Sequence, residues 1–430
     1  MRGAAISLLL FLASITIVFA DLDNDPFPAD INHPAIQYST APTTDPVSLL
    51  NAKLDQRIIQ LKFDDRHGYL KSVLDALKVP VESQILPFSK TSVQAYAINP
   101  TNPRSLFFND SVVIGWVHGG QFLELASEDP KQGVIFYTLD ERQVDHPRFV
   151  RRDNCLSCHL SYSSMDVPGT LVRSVATNSN GTISRQLGDY LTDDRSPFDQ
   201  RWGGWYVTGI TGSMKHMGNA FANAPAQQAG SAIAESFNLE SLKGKFDTDV
   251  YLTPYSDVVA LMVFEHEMHM MNLFTRVGWE VRLALYNEQA GAAPHSATEH
   301  VLNETSHELV DYMLFVDEVP LPSKVTSTSG FAEEFSAQGP KDNRGRSLRQ
   351  LDLQHRLMRY PCSYMIYSDA FDRLPDQAKA AIYARLWQVL SGQDKTAKYA
   401  KLSFADRKSI VEILLQTKNG LPAYFEEIDR

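Results

Sequence analysis

The chemistry-bearing stretch of this sequence is Cys155-Leu156-Ser157-Cys158-His159. Two thiols separated by two residues, with an imidazole directly after the second, match the attachment pattern of a c-type haem. One tight turn presents both sulfurs to the same porphyrin edge, where each adds across a vinyl group. His159 then swings beneath the ring, and its imidazole is the expected proximal iron ligand. Three other chemistries use paired cysteines. A disulfide oxidoreductase motif opens a helix straight after a strand, whereas the residues before Cys155 read RFVRRDN, basic and polar. A zinc site built from two cysteine pairs needs the second pair, and the remaining cysteine is Cys362. A structural disulfide across so short a loop is strained. One covalent haem c is the reading that the spacing favours.

A haem needs further contacts. Its propionates need cationic or hydrogen-bonding partners, and Arg binds carboxylates in a bidentate manner. Arg148, Arg151, Arg152 and Arg173 crowd the motif in sequence, and Arg173 is expected among the cofactor contacts. In Arg201-Trp202-Gly203-Gly204-Trp205-Tyr206 two indoles flank a glycine pair. Trp202 and Trp205 are candidates to press on a porphyrin face, with an ordinary core role as the alternative. For the sixth iron position the run SMKHMGN supplies His216 and then Met217, with Met214 and Met165 as weaker choices. His216 ranks first because a His beside Gly and Asn on a loop is less easily explained as core. A position left open is the other possibility.

The surrounding elements follow from periodicity. Residues 21–43 are rich in Pro, Asp and Asn and read as an irregular arm. Short helices are predicted over Val47–Asp55 and Tyr69–Leu77. Strands are predicted over Ser92–Ile98, Val112–Val117, Phe122–Ala126 and Gly133–Leu139, a small antiparallel sheet. His118-Gly119-Gly120 reads as a hairpin turn; no Gly-x-Ser-x-Gly elbow accompanies it, so an esterase is not indicated. Residues 146–220 look irregular, and Ala220–Ala232 reads as a linker. From Ser256 to Tyr286 apolar residues recur at helical spacing, predicting one long buried helix. It carries Glu265, His266, Glu267 and His269. His266 and His269 share a face and invite a metal, but they lack the His-Glu-x-x-His spacing of metalloproteases; His266 is a further candidate for the iron or for a hydrogen-bonding place behind it, with an ordinary core role as the alternative. Further helices are predicted over Ala297–Phe315, Leu348–Tyr360, Ser363–Leu374, Gln377–Leu390 and Phe404–Gln416. The expected fold class is α+β: a small antiparallel-sheet N-terminal region (21–145), an irregular haem-binding segment (146–220) and a mostly α-helical C-terminal region (250–430).

Met1–Ala20 has Arg2, an apolar run and a small-residue end before Asp21, the pattern of a cleaved signal peptide. No later stretch is long and apolar enough to predict a membrane span, which wants about 20 residues. Export agrees with the motif, because c-type haem is attached on the outer side of the bacterial inner membrane; a periplasmic location is expected. The formal net charge of -11 repels phosphate backbones, so nucleic acid is not an expected partner.

The combination NPRSLFFND, RDNCLSCH, RWGGWYVTG, KHMGN, the helix holding Glu265-His266 and RYPCSYMIYS resembles a family of exported bacterial proteins. Each carries a single Cys-x-x-Cys-His and is described as cytochrome c-like. The likeness runs from about residue 35 to near the C-terminus. It implies haem c binding through Cys155, Cys158 and His159, and it supplies no substrate. The expected function is one-electron transfer with a redox partner protein. The alternative is a haem enzyme, peroxidase- or oxidase-like, with an open sixth iron position under the helical region.

Overall fold

The computed structural model describes residues 30–222, 237–426 and 428. The leader expected at 1–20 lies outside the described residues, as does most of the stretch read as a linker. The architecture is the expected mixed α+β, with an antiparallel sheet in the N-terminal half and helices in the C-terminal part.

Helix α1 (Pro46–Asp55) starts at Asp45, whose Oδ1 accepts the Val47 and Ser48 amides. Asp45 Oδ2 accepts the Tyr137 hydroxyl, so this helix cap is bonded to the sheet. Helix α2 (Leu70–Leu77) buries Leu70, Val73, Leu74 and Leu77, the spacing that predicted it. A two-residue β1 (Leu86–Pro87) precedes the main sheet of β2 (Ser105–Asn109), β3 (Val112–Trp116), β4 (Phe122–Asp129), β5 (Gly133–Asp140) and β6 (Val150–Arg151). These five strands are antiparallel and lie in sequence order. The one-turn helix α3 (Leu156–His159) follows, then β7 (Arg173–Val175), β8 (Asp189–Leu191) and β9 (Trp205–Tyr206). β7 pairs with β8 as a small ribbon, and β9 returns to pair with β1.

Helix α4 (Val258–Gln289) is the long helix foreseen from Ser256. From Val258 to Thr275 every residue is buried except His269. A helix closed on all sides must be surrounded by protein or lipid, and here protein does it. Phe264 meets Phe108 of the sheet and Trp205, with ring centroids 5.0 and 6.4 Å away. Helix α5 (His295–Met313) lies along α4 and also packs on α8 (Asp376–Leu390), which touches α9 (Phe404–Thr417). The short α6 (Phe331–Ala337) and α7 (Asp369–Asp372) fill the connections. Among the described residues no helix is long and apolar enough to cross a membrane.

Three sequence expectations are corrected. Residues 92–98 form turns rather than a strand, because Ser92 and Gln94 spend their side chains on Glu124 Oε1; the sheet takes Ser105–Asn109 instead. Leu348–Tyr360 is not helical. Asp352 Oδ1 accepts the Gln354 and His355 amides, and Leu353 has a φ of 58°, a local turn that outcompetes the helix. Ser363–Leu374 splits into a 3-10 turn at Tyr364–Tyr367 and the short α7, the break falling at Ser368, which caps the Phe371 amide.

The cost of burying α4 is visible in its polar residues. Glu265 pairs with Arg201 at 2.9 Å, the two side chains 0 and 2% exposed. Burial pushes the Glu265 carboxyl up to about 7 against the pull of Arg201. Arg201→Met leaves that carboxylate without its cation and is expected to cost about 3–5 kcal/mol. Adding Glu265→Gln should recover part of the loss, as read by urea unfolding.

Glu128 on β4 offers a pH test. Its Oε1 has no partner, and burial, with Asp110 and Asp129 adding repulsion, pushes its pKa from 4.5 to about 8. The native state therefore keeps a proton that the unfolded chain has released. The associated stability is complete below the unfolded value and is lost as pH rises towards about 8. Glu128→Gln should flatten this decline by on the order of a few kcal/mol in unfolding curves across that range.

Candidate haem attachment site

The motif is positioned by the edge of the main sheet. β6 pairs with β5 through Tyr137–Arg151 and Thr138–Val150, and the Arg152 amide donates to the Phe136 carbonyl. The chain then turns through a 3-10 segment at Asp153–Cys155 straight into α3. One helical turn sets Cys155 and Cys158 on the same side. Both are free thiols, Cys155 half-buried and Cys158 exposed.

His159 is held by a reciprocal pair of bonds. Its Nδ1 lies 2.9 Å from the Gly169 carbonyl oxygen, and the Gly169 amide donates back to the His159 carbonyl at 3.0 Å. A carbonyl only accepts, so Nδ1 carries the hydrogen and Nε2 keeps its lone pair. Burial holds the imidazole below its ordinary pKa, which favours the neutral, ligating form. The ring packs on Phe136 with centroids 4.7 Å apart.

The loop that supplies the carbonyl is itself pinned. Pro168 O accepts the Val134 amide of β5 at 2.9 Å. On the other side Asn272 of α4 takes both backbone groups of Thr170, accepting its N–H at 3.0 Å and donating to its C=O at 2.7 Å. Asn272 comes so close that a Cβ on Gly169 would lie 2.2 Å from its Oδ1. Gly169 and Asn272 were not among the sequence candidates. A lone Asn amid the apolar residues of α4 was the available cue.

Arg173 is within electrostatic reach of the Cys158 thiol, near the motif as expected. Its guanidinium is already engaged in a bidentate pair with Asp189, at 2.8 and 2.6 Å. Arg148 and Arg151 are likewise paired, with Asp55 and Asp153. Arg152 is different. Its Nε donates to Thr138 Oγ1, no carboxylate pairs with it among the described residues, and its charge acts on the Cys155 thiol. Around the motif, Tyr162 is 86% exposed and Leu191, across the ribbon from Arg173, is 44% exposed.

The indoles take the bland role. Trp202 is fully buried against Phe198 and His216. Trp205 is nearly so, and its Nε1 donates to the Arg173 carbonyl. An indole closed in by protein has no face left for a porphyrin; Trp205 instead braces β7 from behind.

The sixth-ligand candidates are also engaged elsewhere. His216 Nδ1 accepts the Gly218 amide at 3.1 Å, which places its hydrogen on Nε2. That Nε2 is enclosed without a partner in a side chain lying between Trp202 and Phe237, and burial pushes the imidazole down to about 3. His216 is thus a neutral core histidine whose lone pair is taken, contrary to its first ranking. Met217 receives a weak bond from Ser174 Oγ at 3.8 Å. Strand alternation puts Ser174 on the opposite face of β7 from Arg173, so Met217 lies behind the ribbon. His266 is fully buried, with Nδ1 3.2 Å from Asp194 Oδ2 and Nε2 2.7 Å from Ser363 Oγ. With both nitrogens of His266 engaged, and those of His269 facing Asp193 and Arg195, the two rings do not converge as the metal pair considered from their spacing; among the described residues no group of three His, Cys, Asp or Glu is arranged to hold a metal ion.

Asn272→Ala strands both backbone groups of Thr170 in the interior, at about 1–3 kcal/mol per group. The expected outcome is a matching stability loss together with faster exchange of the His159 Nδ1 proton in NMR. Unchanged exchange would show that Asn272 does not hold the His159 acceptor.

Comparison of the chain with protein-family models, with curated proteins and with solved structures finds no match.

Proposed function

We propose that Cys155 and Cys158 carry one haem c through thioether bonds, that His159 Nε2 is its proximal ligand, and that the chain transfers single electrons at its surface. The observation that carries this reading is the Nδ1–H bond from His159 to the Gly169 carbonyl, 2.9 Å long. Metal-bound histidines characteristically donate their other nitrogen in this way, which fixes the tautomer and raises basicity. A haem bound here supplies a one-electron iron couple. The chain's own contributions are separate. The exposed Cys158 and half-buried Cys155 offer sulfurs from one turn. Each thiol adds its hydrogen and sulfur across a vinyl double bond, with no leaving group. Arg152 supplies a guanidinium for a propionate. Tyr162 and Leu191 offer apolar surface at the rim.

Export through the leader at 1–20, a periplasmic setting and a redox protein as partner belong to the same proposal. They are supported by the leader's composition and by the family likeness of the motifs. One observation favours the second reading, a haem enzyme. His216 and His266 have their ring nitrogens committed or enclosed, and Met217 lies behind β7, so none of the three is free to close a sixth iron position.

The test is the mass and colour of the purified full chain. Expression with a haem-attachment system should give a protein heavier than the polypeptide by one haem and stained for haem on a denaturing gel. Cys155→Ala with Cys158→Ala should abolish both signals. A colourless parent of bare polypeptide mass would sink the proposal. A spectral change of the reduced protein with carbon monoxide would select the enzyme reading, and its absence the electron carrier.

A further inference from the structure

Away from the motif, a cavity of about 380 Å³ opens between the β4–β5 turn, one face of α4 and the corner from α7 into α8. That volume falls within the range of small-molecule sites, roughly 300–1,000 Å³. Its floor is apolar: Phe274, Ala370 and Leu374 line it, each at most 4% exposed. Gly278 of α4 lies among them. A glycine inside a helix is weaker than alanine, and a Cβ there would meet only Leu374 Cδ2, at 3.5 Å, an ordinary contact. The missing side chain leaves that floor open.

The walls carry three carboxylates and three cations, so pairing rather than counting decides the sign of an occupant. The carboxylates are all answered. Asp129 Oδ1 accepts the Lys131 and Gln132 amides, and its Oδ2 accepts the Thr44 amide. Asp376, its side chain 94% exposed, pairs with Lys379. Glu128 keeps its proton at neutral pH, because burial above all pushes its carboxyl up to about 8. The cations are not answered. Arg282 donates Nε to the Gly278 carbonyl and Nη2 to the Lys131 carbonyl. No carboxylate lies within ion-pair distance of it among the described residues, and Asp129 acts on it from farther away. Burial pulls this guanidinium down to about 10, since its charge has lost water without gaining a close counter-ion. Lys131 and Arg373 also lack a carboxylate partner among the described residues. Helix α8 begins at the same wall, with Pro375 as its N-cap and no side chain capping its first amides. Partial positive charge gathers at such a helix start.

We infer that this cavity binds a small organic carboxylate, its headgroup held by the Arg282 and Arg373 guanidiniums and its apolar body laid on Phe274 and Leu374. A bare inorganic anion would leave the apolar floor uncovered, and a cation would meet three charges of its own sign. The protonated Glu128 carboxyl adds no repulsion to a bound anion. No lining residue belongs to the Cys-x-x-Cys-His turn or to the Gly169 loop, so the site is independent of the haem proposal and its test uses no haem signal.

The experiment is calorimetric titration of the full chain at neutral pH and constant ionic strength with benzoate, benzamide, benzylammonium and inorganic phosphate. Saturable one-site binding of benzoate is expected, with no comparable heat from the other three. Arg373→Gln, a change at the exposed rim, should weaken benzoate binding about three-fold, and Arg282→Gln by about ten-fold or more. Absence of saturable benzoate binding overturns the inference. Benzamide, benzylammonium or phosphate binding as tightly as benzoate overturns it too, because the carboxylate would then not be what is recognised. Arg373→Gln binding as tightly as the parent also overturns it, whether or not the Arg282 variant folds.

Discussion

A helix enclosed by protein along most of its length has no water to satisfy its polar side chains, and that constraint organises the molecule. Between Val258 and Thr275, α4 carries Glu265, His266, Glu267 and Asn272 in the interior. Each must draw a partner from another part of the chain, since an unpaired buried charge or amide costs several kcal/mol. Glu265 draws Arg201, His266 draws Asp194 and Ser363, Glu267 draws the Tyr364 hydroxyl, and Asn272 draws the backbone of Thr170. These partners lie in segments with almost no regular structure of their own. The irregular segments around Thr170, Asp194 and Arg201 are held in place because their polar groups are the ones that the helix requires.

The consequence for the motif is rigidity without secondary structure. α3 is a single turn, too short to hold an imidazole in place. His159 is instead fixed through Gly169, and Gly169 lies between a bond to β5 through Pro168 and the Asn272 side chain of α4. Of the two thiols, Cys158 is exposed and Cys155 half-buried. The imidazole lies on the inner side, dry enough to stay neutral. A histidine held from the core, with one half-buried and one exposed thiol beside it, is the arrangement that the proposed covalently tethered group would require.

The same network separates the attachment site from the interior histidines. His216 closes a backbone turn with Gly218, and His266 serves as a bridge between Asp194 and Ser363. Hydrogen bonds engage both nitrogens of His266 and the lone pair of His216, whose Nε2 is enclosed by aromatic rings, which leaves the open face of the motif to His159, Arg152 and the exposed apolar side chains.

The sequence by itself determined the α+β class, the main hairpins and the buried helix, and it singled out the Cys-x-x-Cys-His turn as the candidate site. These depend on local spacing, which the chain carries in its period of two, its period near 3.6 and its Cys-x-x-Cys-His. Side-chain turns overrode local pattern at residues 92–98 and 348–360, where Ser92, Gln94 and Asp352 found hydrogen bonds that apolar periodicity does not encode. The neighbours of each candidate were decided only by tertiary structure. That Trp202 and His216 close on each other, that Arg173 belongs to Asp189 and that Asn272 pins the Gly169 loop are contacts between segments distant in sequence. No spacing rule reaches across such separations; packing and the need to pair buried polar groups do.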